Sequence, residues 1–262
     1  MIIRLRSTWL AVFLLVVLAL GITSVAAQTT PLPPLSDPGA YTVGWRATTF
    51  TDPNRDGRSL IVYIWYPAIA PATPSTQQTR TQKLGYGWRD ADFDAQAAPY
   101  PLILFSPAFG GGNRRELEVP LASQGFVVVG IERLPGDDQQ NTLIDRPLDM
   151  LFVLDQLTAT NQSDFGGLID TDHVGVLGTS FGAYTTLALT GARFDPASAN
   201  ALDTSELRLS FADWNWDKLA AYRATFSPSL TGDGLWPPFS DPRIHAALAI
   251  SPCLEPIFGT DG

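Results

Sequence analysis

Apolar and polar positions change their spacing along this chain, and the change divides it into parts. Thr42 to Phe50 and Leu60 to Tyr66 are rich in β-branched and aromatic residues, and the turn-forming cluster Thr51-Asp-Pro-Asn-Arg-Asp-Gly57 lies between them, so an antiparallel hairpin is expected. Pro67 to Ala98 is polar and contains proline, which predicts a surface excursion. From Tyr100 the pattern alternates. Pro101 to Phe105 and Phe126 to Ile131 are nearly continuous apolar runs, as parallel strands buried on both faces require. Between them Asn113 can cap a helix reaching about Ser123 and ended by Gly125. Arg146 to Leu157 predicts a second helix, with Pro147 in its first turn and Leu148, Leu151, Phe152 and Leu154 on its apolar face. Val174 to Leu177 is a short strand, followed by a glycine-flanked turn and a further helix. The segment 194–241 is a long insertion before a last strand, Ile244 to Ile250. This order of strands and helices predicts an α/β domain over residues 40–262, a mostly parallel sheet covered by helices on both faces and preceded by the antiparallel hairpin.

The beginning of the chain belongs to a different class. Arg4 and Arg6 precede an apolar run from Trp9 to Ile22, and Val25-Ala26-Ala27 supplies small residues before Gln28, so residues 1–27 carry the pattern of a secretory signal. The apolar run is shorter than the ~20 residues of a spanning helix, so stable membrane insertion after cleavage is not expected. Residues 28–39 are a proline-rich linker. Removing Arg4 and Arg6 from the 17 basic residues leaves 15 against 26 acidic ones, a net charge of −11. That charge argues against nucleic acid and anionic membrane surfaces as partners. Cys253 is the only cysteine, so no intramolecular disulfide can form in an exported chain, and two histidines in separate segments predict no metal site and no metal cofactor.

Chemistry concentrates in Val174-Gly-Val-Leu-Gly-Thr-Ser-Phe-Gly-Ala-Tyr184, a buried strand, a Gly-x-Ser-x-Gly turn and a helix start. Gly178 and Gly182 lack the Cβ atoms that would clash in so sharp a turn, which leaves Ser180 at its crest with Oγ exposed as a candidate nucleophile. A tetrahedral intermediate there needs preformed donors for its oxyanion. The backbone N–H of Phe181 follows the serine directly, and the loop Ser106-Pro-Ala-Phe-Gly-Gly-Gly112 offers a second donor, with Phe109 the first choice and Gly110 the next.

Tyr41-Thr-Val-Gly-Trp-Arg and Thr51-Asp-Pro-Asn-Arg-Asp-Gly-Arg58, followed by Trp65-Tyr-Pro, Pro101-Leu-Ile-Leu-Phe-Ser, Arg146-Pro-Leu-Asp, Phe152-Val-Leu-Asp-Gln-Leu157, the serine turn and Asp241-Pro-Arg-Ile, together resemble the α/β-hydrolases. The resembled branch is that of plasma-type platelet-activating-factor acetylhydrolase and the bacterial dienelactone-hydrolase-like proteins. The resemblance implies the α/β-hydrolase fold, Ser180 as nucleophile, Phe109 and Phe181 as oxyanion donors, and no cofactor. It also implies small-molecule or lipid ester substrates. Two departures stand out. Relatives commonly have Ser-His-Gly in the oxyanion loop where this chain has Ser106-Pro107-Ala108, and Gly-His-Ser at the elbow where it has Gly178-Thr179-Ser180.

A serine nucleophile also needs a base, and in this fold a histidine follows the serine along the chain. His173 precedes Ser180 and lies just before the strand that ends at it, roughly 15 Å or more away, and His245 opens the last strand, so neither is expected to act. The expectation is a sequence lacking further C-terminal strand-helix units that would carry the histidine. Glu255 is the only carboxylate near one place where the acid of a triad could lie. Aromatic residues of the insertion, Phe211, Trp214, Trp216, Tyr222, Phe226, Trp236 and Phe239, could either roof an acyl pocket or pack onto the body. Two functions follow: an exported serine carboxylic-ester hydrolase, or a non-catalytic protein of the same fold that binds lipid or protein.

Overall fold

A computed structural model describes residues 37–72, 78–81, 85–108, 117–132, 141–201, 215–226 and 230–262. Contacts divide the chain into Met1–Pro34 and Leu35–Gly262, and all the described residues belong to the second unit. The predicted signal, Asn113, Phe109 and the three glycines after it lie outside the described residues.

The hairpin is the first element. Strands β1 (Thr42–Asp52) and β2 (Arg58–Ala68) pair antiparallel in unbroken register from Thr42 opposite Ala68 to Asp52 opposite Arg58. The polar stretch expected to be a surface excursion contributes two short strands instead, β3 (Gln78–Thr81) and β4 (Gly85–Arg89), and β4 joins the sheet parallel to β1. Their shortness hides them from a periodicity argument, since four or five residues are too few to show a period. Next come β5 (Tyr100–Ser106), helix α1 (Glu118–Ser123), β6 (Val127–Ile131), helix α2 (Thr142–Phe165), β7 (Ile169–Thr179) and helix α3 (Phe181–Leu189). Short helices α4 (Pro196–Ala201) and α5 (Trp216–Arg223) lie in the insertion, and β8 (Ile244–Ile250) follows. The sheet order is β3-β4-β1-β2-β6-β5-β7-β8, and the run β6-β5-β7-β8 is parallel throughout.

Alternation along the strands sends side chains to two cores. Leu60, Val62, Ile64 and Tyr66 face α2 and α3 with Leu102, Leu104, Val127 and Val129, while Trp65, Phe105, Val128 and Leu177 face α1 through Val119 and Ala122. Helices therefore cover both faces, as predicted. Gly125 ends the α1 segment at a φ of 99°, its N–H bonded to the carbonyl of Ala122, which is the role the sequence assigned to it.

Helix α2 starts four residues earlier than expected, which places Pro147 inside it rather than in its first turn. A proline there removes the hydrogen bond to the carbonyl four residues before it, that of Leu143. Tyr184 of α3 replaces the missing donor: its buried hydroxyl donates to the Leu143 carbonyl at 2.8 Å. The proline thus locks α2 to the helix behind Ser180.

The turn of the hairpin is tied to the same helix by buried charge. Asp149 of α2 accepts from Nε and Nη2 of Arg58, both at 2.9 Å, and lies 2.6 Å from Nη1 of Arg55, whose Nε pairs with Asp52 at 2.7 Å. Beside it the Tyr222 hydroxyl donates to Asp145 at 2.7 Å, although burial still raises the Asp145 pKa above the usual aspartate value. Taking one partner out of such a cluster leaves charge uncompensated in a poor solvent. Asp149→Asn is expected to destabilise the protein by about 3 kcal/mol, seen as a lower denaturant midpoint at unchanged slope.

The aromatic residues of the insertion that are described pack inward. Phe194 and Trp236 stack at 4.0 Å between centroids, the Trp236 N–H donates to the Phe194 carbonyl, and Trp236 and Phe239 are buried in the larger core. This is the packing alternative; Phe211 and Trp214 lie outside the described residues.

Candidate active site

Strand β7 ends at Thr179, helix α3 begins at Phe181, and Ser180 between them has φ 53° and ψ −117°. A non-glycine residue at positive φ with this ψ stores strain of roughly 1–3 kcal/mol, and such strain persists only where the surroundings enforce it. Here they do. The Ser180 N–H donates to the carbonyl of Ile250 at the end of β8, and its own carbonyl accepts from the N–H of Ala183 at 2.9 Å. Both flanking glycines are required by close contact with neighbouring backbone. A Cβ on Gly178 would stand 2.0 Å from the carbonyl oxygen of Gly182, and one on Gly182 would stand 1.9 Å from that of Ser106. The turn is therefore closed on itself and pressed against the end of β5, where the loop expected to carry the second donor starts.

That closeness brings the two predicted donor segments together as far as they are described. Phe181, wholly buried, opens α3, so its N–H belongs to the positive end of that helix. On the other side Ser106 and Pro107 lead toward Phe109, which lies outside the described residues. Arg146, from the second turn of α2, reaches both: Nη1 donates to the Pro107 carbonyl at 2.6 Å, and the guanidinium carbon lies 4.9 Å from the centre of the Phe181 ring. Sequence reasoning quoted Arg146 for the resemblance but gave it no role at the site, because nothing in a linear pattern shows which loop a helical arginine will touch.

Cys253 is the other group that sequence reasoning left without a part. Its Sγ accepts a long contact from Ser180 Oγ at 4.0 Å. Burial above all, helped by the Glu255 carboxylate, raises the thiol's pKa, against the Ser180 hydrogen bond and the positive charge of Arg146. A thiol held protonated at neutral pH cannot take the serine's proton. Glu255 begins a short 3-10 turn after β8, is exposed, and stands at the same end of the sheet as Ser180.

The two histidines lie at the opposite end. Residues 171–173 are looped out of the β5-β7 register, since Pro101 pairs with Asp170 but Leu102 with Val174. The looped-out stretch is held by Asp170, which accepts from the N–H groups of Asp172 and His173 and sits 3.0 Å from His173 Nδ1. His245 is the second residue of the neighbouring strand β8, with its ring 5.1 Å from that of His173. At ~3.3 Å per residue the length of β7 separates both from Ser180, so they are strand-end residues, as expected. Among the described residues no group of three or more histidine, cysteine or acidic side chains could hold a metal ion.

Residues 114–230 match a family model described as PET hydrolase-like, a stretch of somewhat less than half the chain. Ferulic acid esterase from Streptomyces cinnamoneus is 22% identical, with a TM-score of 0.43, over 55% of this chain and 54% of its own. Brefeldin A esterase, a bacterial homologue of human hormone sensitive lipase, is 17% identical, with a TM-score of 0.37, over 60% of this chain and 36% of its own. The match thus spans little more than half of one structure and about a third of the other. No curated protein matches. By its sheet order, its crossover helices and its strained serine turn the chain has the α/β-hydrolase fold, and over residues 114–230 it is similar to PET hydrolase-like proteins.

Proposed function

We propose that the protein is an exported serine carboxylic-ester hydrolase that works through an acyl-enzyme on Ser180. The observation that carries the proposal is the backbone of Ser180, held at φ 53° between two glycines that admit no Cβ. Structural needs alone would be met better by glycine at that position, so a strained serine implies a use for its hydroxyl. In the proposed reaction Ser180 Oγ attacks the ester carbonyl carbon and gives its proton to a base. The carbonyl oxygen becomes an oxyanion facing the N–H groups of Phe181 and Phe109, and the alcohol leaves with the proton. Water then attacks the acyl group by the reverse sequence and frees Ser180.

Likeness to PET hydrolase-like proteins favours carboxylic esters as the substrate class, aromatic polyester fragments among them, and the resemblance to acetylhydrolases favours short acyl chains, including those of phospholipids. Hydrolysis of 4-nitrophenyl acetate, of bis(2-hydroxyethyl) terephthalate and of a short-acyl phospholipid by the full-length protein compares the three. Absence of any hydrolysis, with lipid or protein binding retained, would favour the non-catalytic alternative. Export rests on the signal pattern of residues 1–27, which a secretion assay with and without that segment tests.

Neither histidine reaches Ser180 and the Cys253 thiol stays protonated, so none of these three takes the serine's proton. Residues 28–262 alone are therefore expected to react with a fluorophosphonate no faster than an ordinary serine hydroxyl. Rapid stoichiometric labelling at Ser180, located by mass spectrometry, would show instead that a group within this segment activates it.

A further inference from the structure

We infer that Arg146 is a positioning residue for the oxyanion site, one guanidinium tying the loop after β5 to the first residue of the elbow helix. The inference rests on the hydrolase proposal above, since it assigns a task within that chemistry. Its basis is the pair of contacts already described, Nη1 to the Pro107 carbonyl at 2.6 Å and the guanidinium over the Phe181 ring at 4.9 Å. Pro107 leads into the loop that carries Phe109, and Phe181 carries the other donor. A planar, always charged fork can hydrogen-bond along its edge while lying on an aromatic face, which an ammonium cannot do.

The hydrogen bond to Pro107 has a directional consequence. Ala98-Pro99 is the cis peptide among the described residues, so the Pro107-Ala108 peptide is trans. In a trans peptide the C=O and N–H point in opposite directions. Committing the Pro107 carbonyl to Arg146 therefore fixes the direction of the Ala108 N–H. Gly182 presses on the same place, because a Cβ there would meet the oxygens of both Ser106 and Pro107. The start of the loop is thus held from two sides, by the elbow backbone and by Arg146. Glu132 and Asp149 line the same cavity as Arg146, Ser106 and Pro107, so nearby carboxylates offset part of its charge and geometry is its main contribution. The positive charge nonetheless reaches Cys253 beside Ser180, where it favours the thiolate, and the same field would favour an oxyanion.

The test compares Arg146→Met, Arg146→Lys and Ser180→Ala in the full-length protein, each checked for its melting temperature. In Arg146→Met, amide exchange of peptides that include Ser106 and Ala108 is expected to speed up about tenfold or more, because the direct constraint on Pro107 is gone. Its kcat on 4-nitrophenyl acetate is expected to fall about 10- to 100-fold with KM within about twofold, the split that marks an interaction serving the transition state. Arg146→Lys keeps a donor and a charge without the stacked plane and should fall between. Unchanged loop exchange and unchanged kcat in a folded Arg146→Met variant overturn the inference. If that variant does not fold, the same two results in Arg146→Lys overturn it. Retained turnover in Ser180→Ala would overturn the hydrolase proposal instead, and the exchange measurement would still judge Arg146.

Discussion

Ser180→Ala is expected to lower kcat on ester substrates by at least ~10³ in the full-length protein, and Ser180→Gly to lose as much activity while gaining stability. The first effect follows from interdependence. When the nucleophile is lost the base and the oxyanion donors have nothing to act on, and removing one member of such a group costs nearly as much as removing all. The second follows from the backbone. Serine at φ 53° and ψ −117° is strained, whereas glycine reaches that region without a Cβ to clash. Relief of the strain is expected to raise unfolding free energy by about 1 kcal/mol, reduced by glycine's greater freedom in the unfolded chain. Activity and stability thus move in opposite directions at one position. A titration with urea beside a turnover assay measures both. Full turnover in Ser180→Ala would remove the residue from the mechanism, and a glycine variant less stable than the alanine one would show that the strain lies elsewhere.

The elements legible in the sequence were those whose residues answer to local physics. The hairpin announced itself by two β-rich runs around a turn cluster, the parallel strands by short apolar runs, and the serine turn by glycines that the structure shows to be in backbone contact with their neighbours. What the linear pattern hid was set by partners far along the chain. The start of α2 could not be read correctly because Pro147 is made acceptable by Tyr184, a residue of the next helix. Strands β3 and β4 escape such a reading because four or five residues are too few to show a period.

Several segments quoted for the resemblance prove to be the places where the fold is clamped together. Arg55 and Arg58 of the hairpin turn meet Asp149 of α2. Arg243, just before β8, meets Asp155 of the same helix at 2.6 Å. Arg146 meets Pro107. Each of these arginines was visible as a residue in a motif, and none as half of these long-range pairs, since those partners lie tens of residues away. The same limit applies to the site. Ser180 and Phe181 could be found from their own turn, whereas the arginine across from them needed the tertiary structure.

The largest structural effect is expected at Gly182. A methyl group on its Cα would stand 1.9 Å from the Ser106 carbonyl oxygen, 2.5 Å from the Ser106 carbonyl carbon and 2.8 Å from the Pro107 oxygen. These are backbone atoms at the end of a central strand, so no side chain can swing aside to make room. Either the elbow helix moves away from β5, which opens the core around Phe181 and Tyr184, or the strand end moves, which disrupts its pairing with β6 and β7. Gly182→Ala is therefore expected to cost more than about 4 kcal/mol, near the limit of what single substitutions do, and to prevent recovery of soluble, cooperatively folding protein. Gly175→Ala in the same strand-and-helix unit is the control. Its Cβ would meet only Ile103 and the Leu102 oxygen at 3.7 and 3.8 Å, ordinary contact distances, so it should unfold within about 1 kcal/mol of the parent. Similar denaturation midpoints for the two variants would mean that the close approach at the elbow is not a constraint in solution, and the strained serine that depends on it would lose its support.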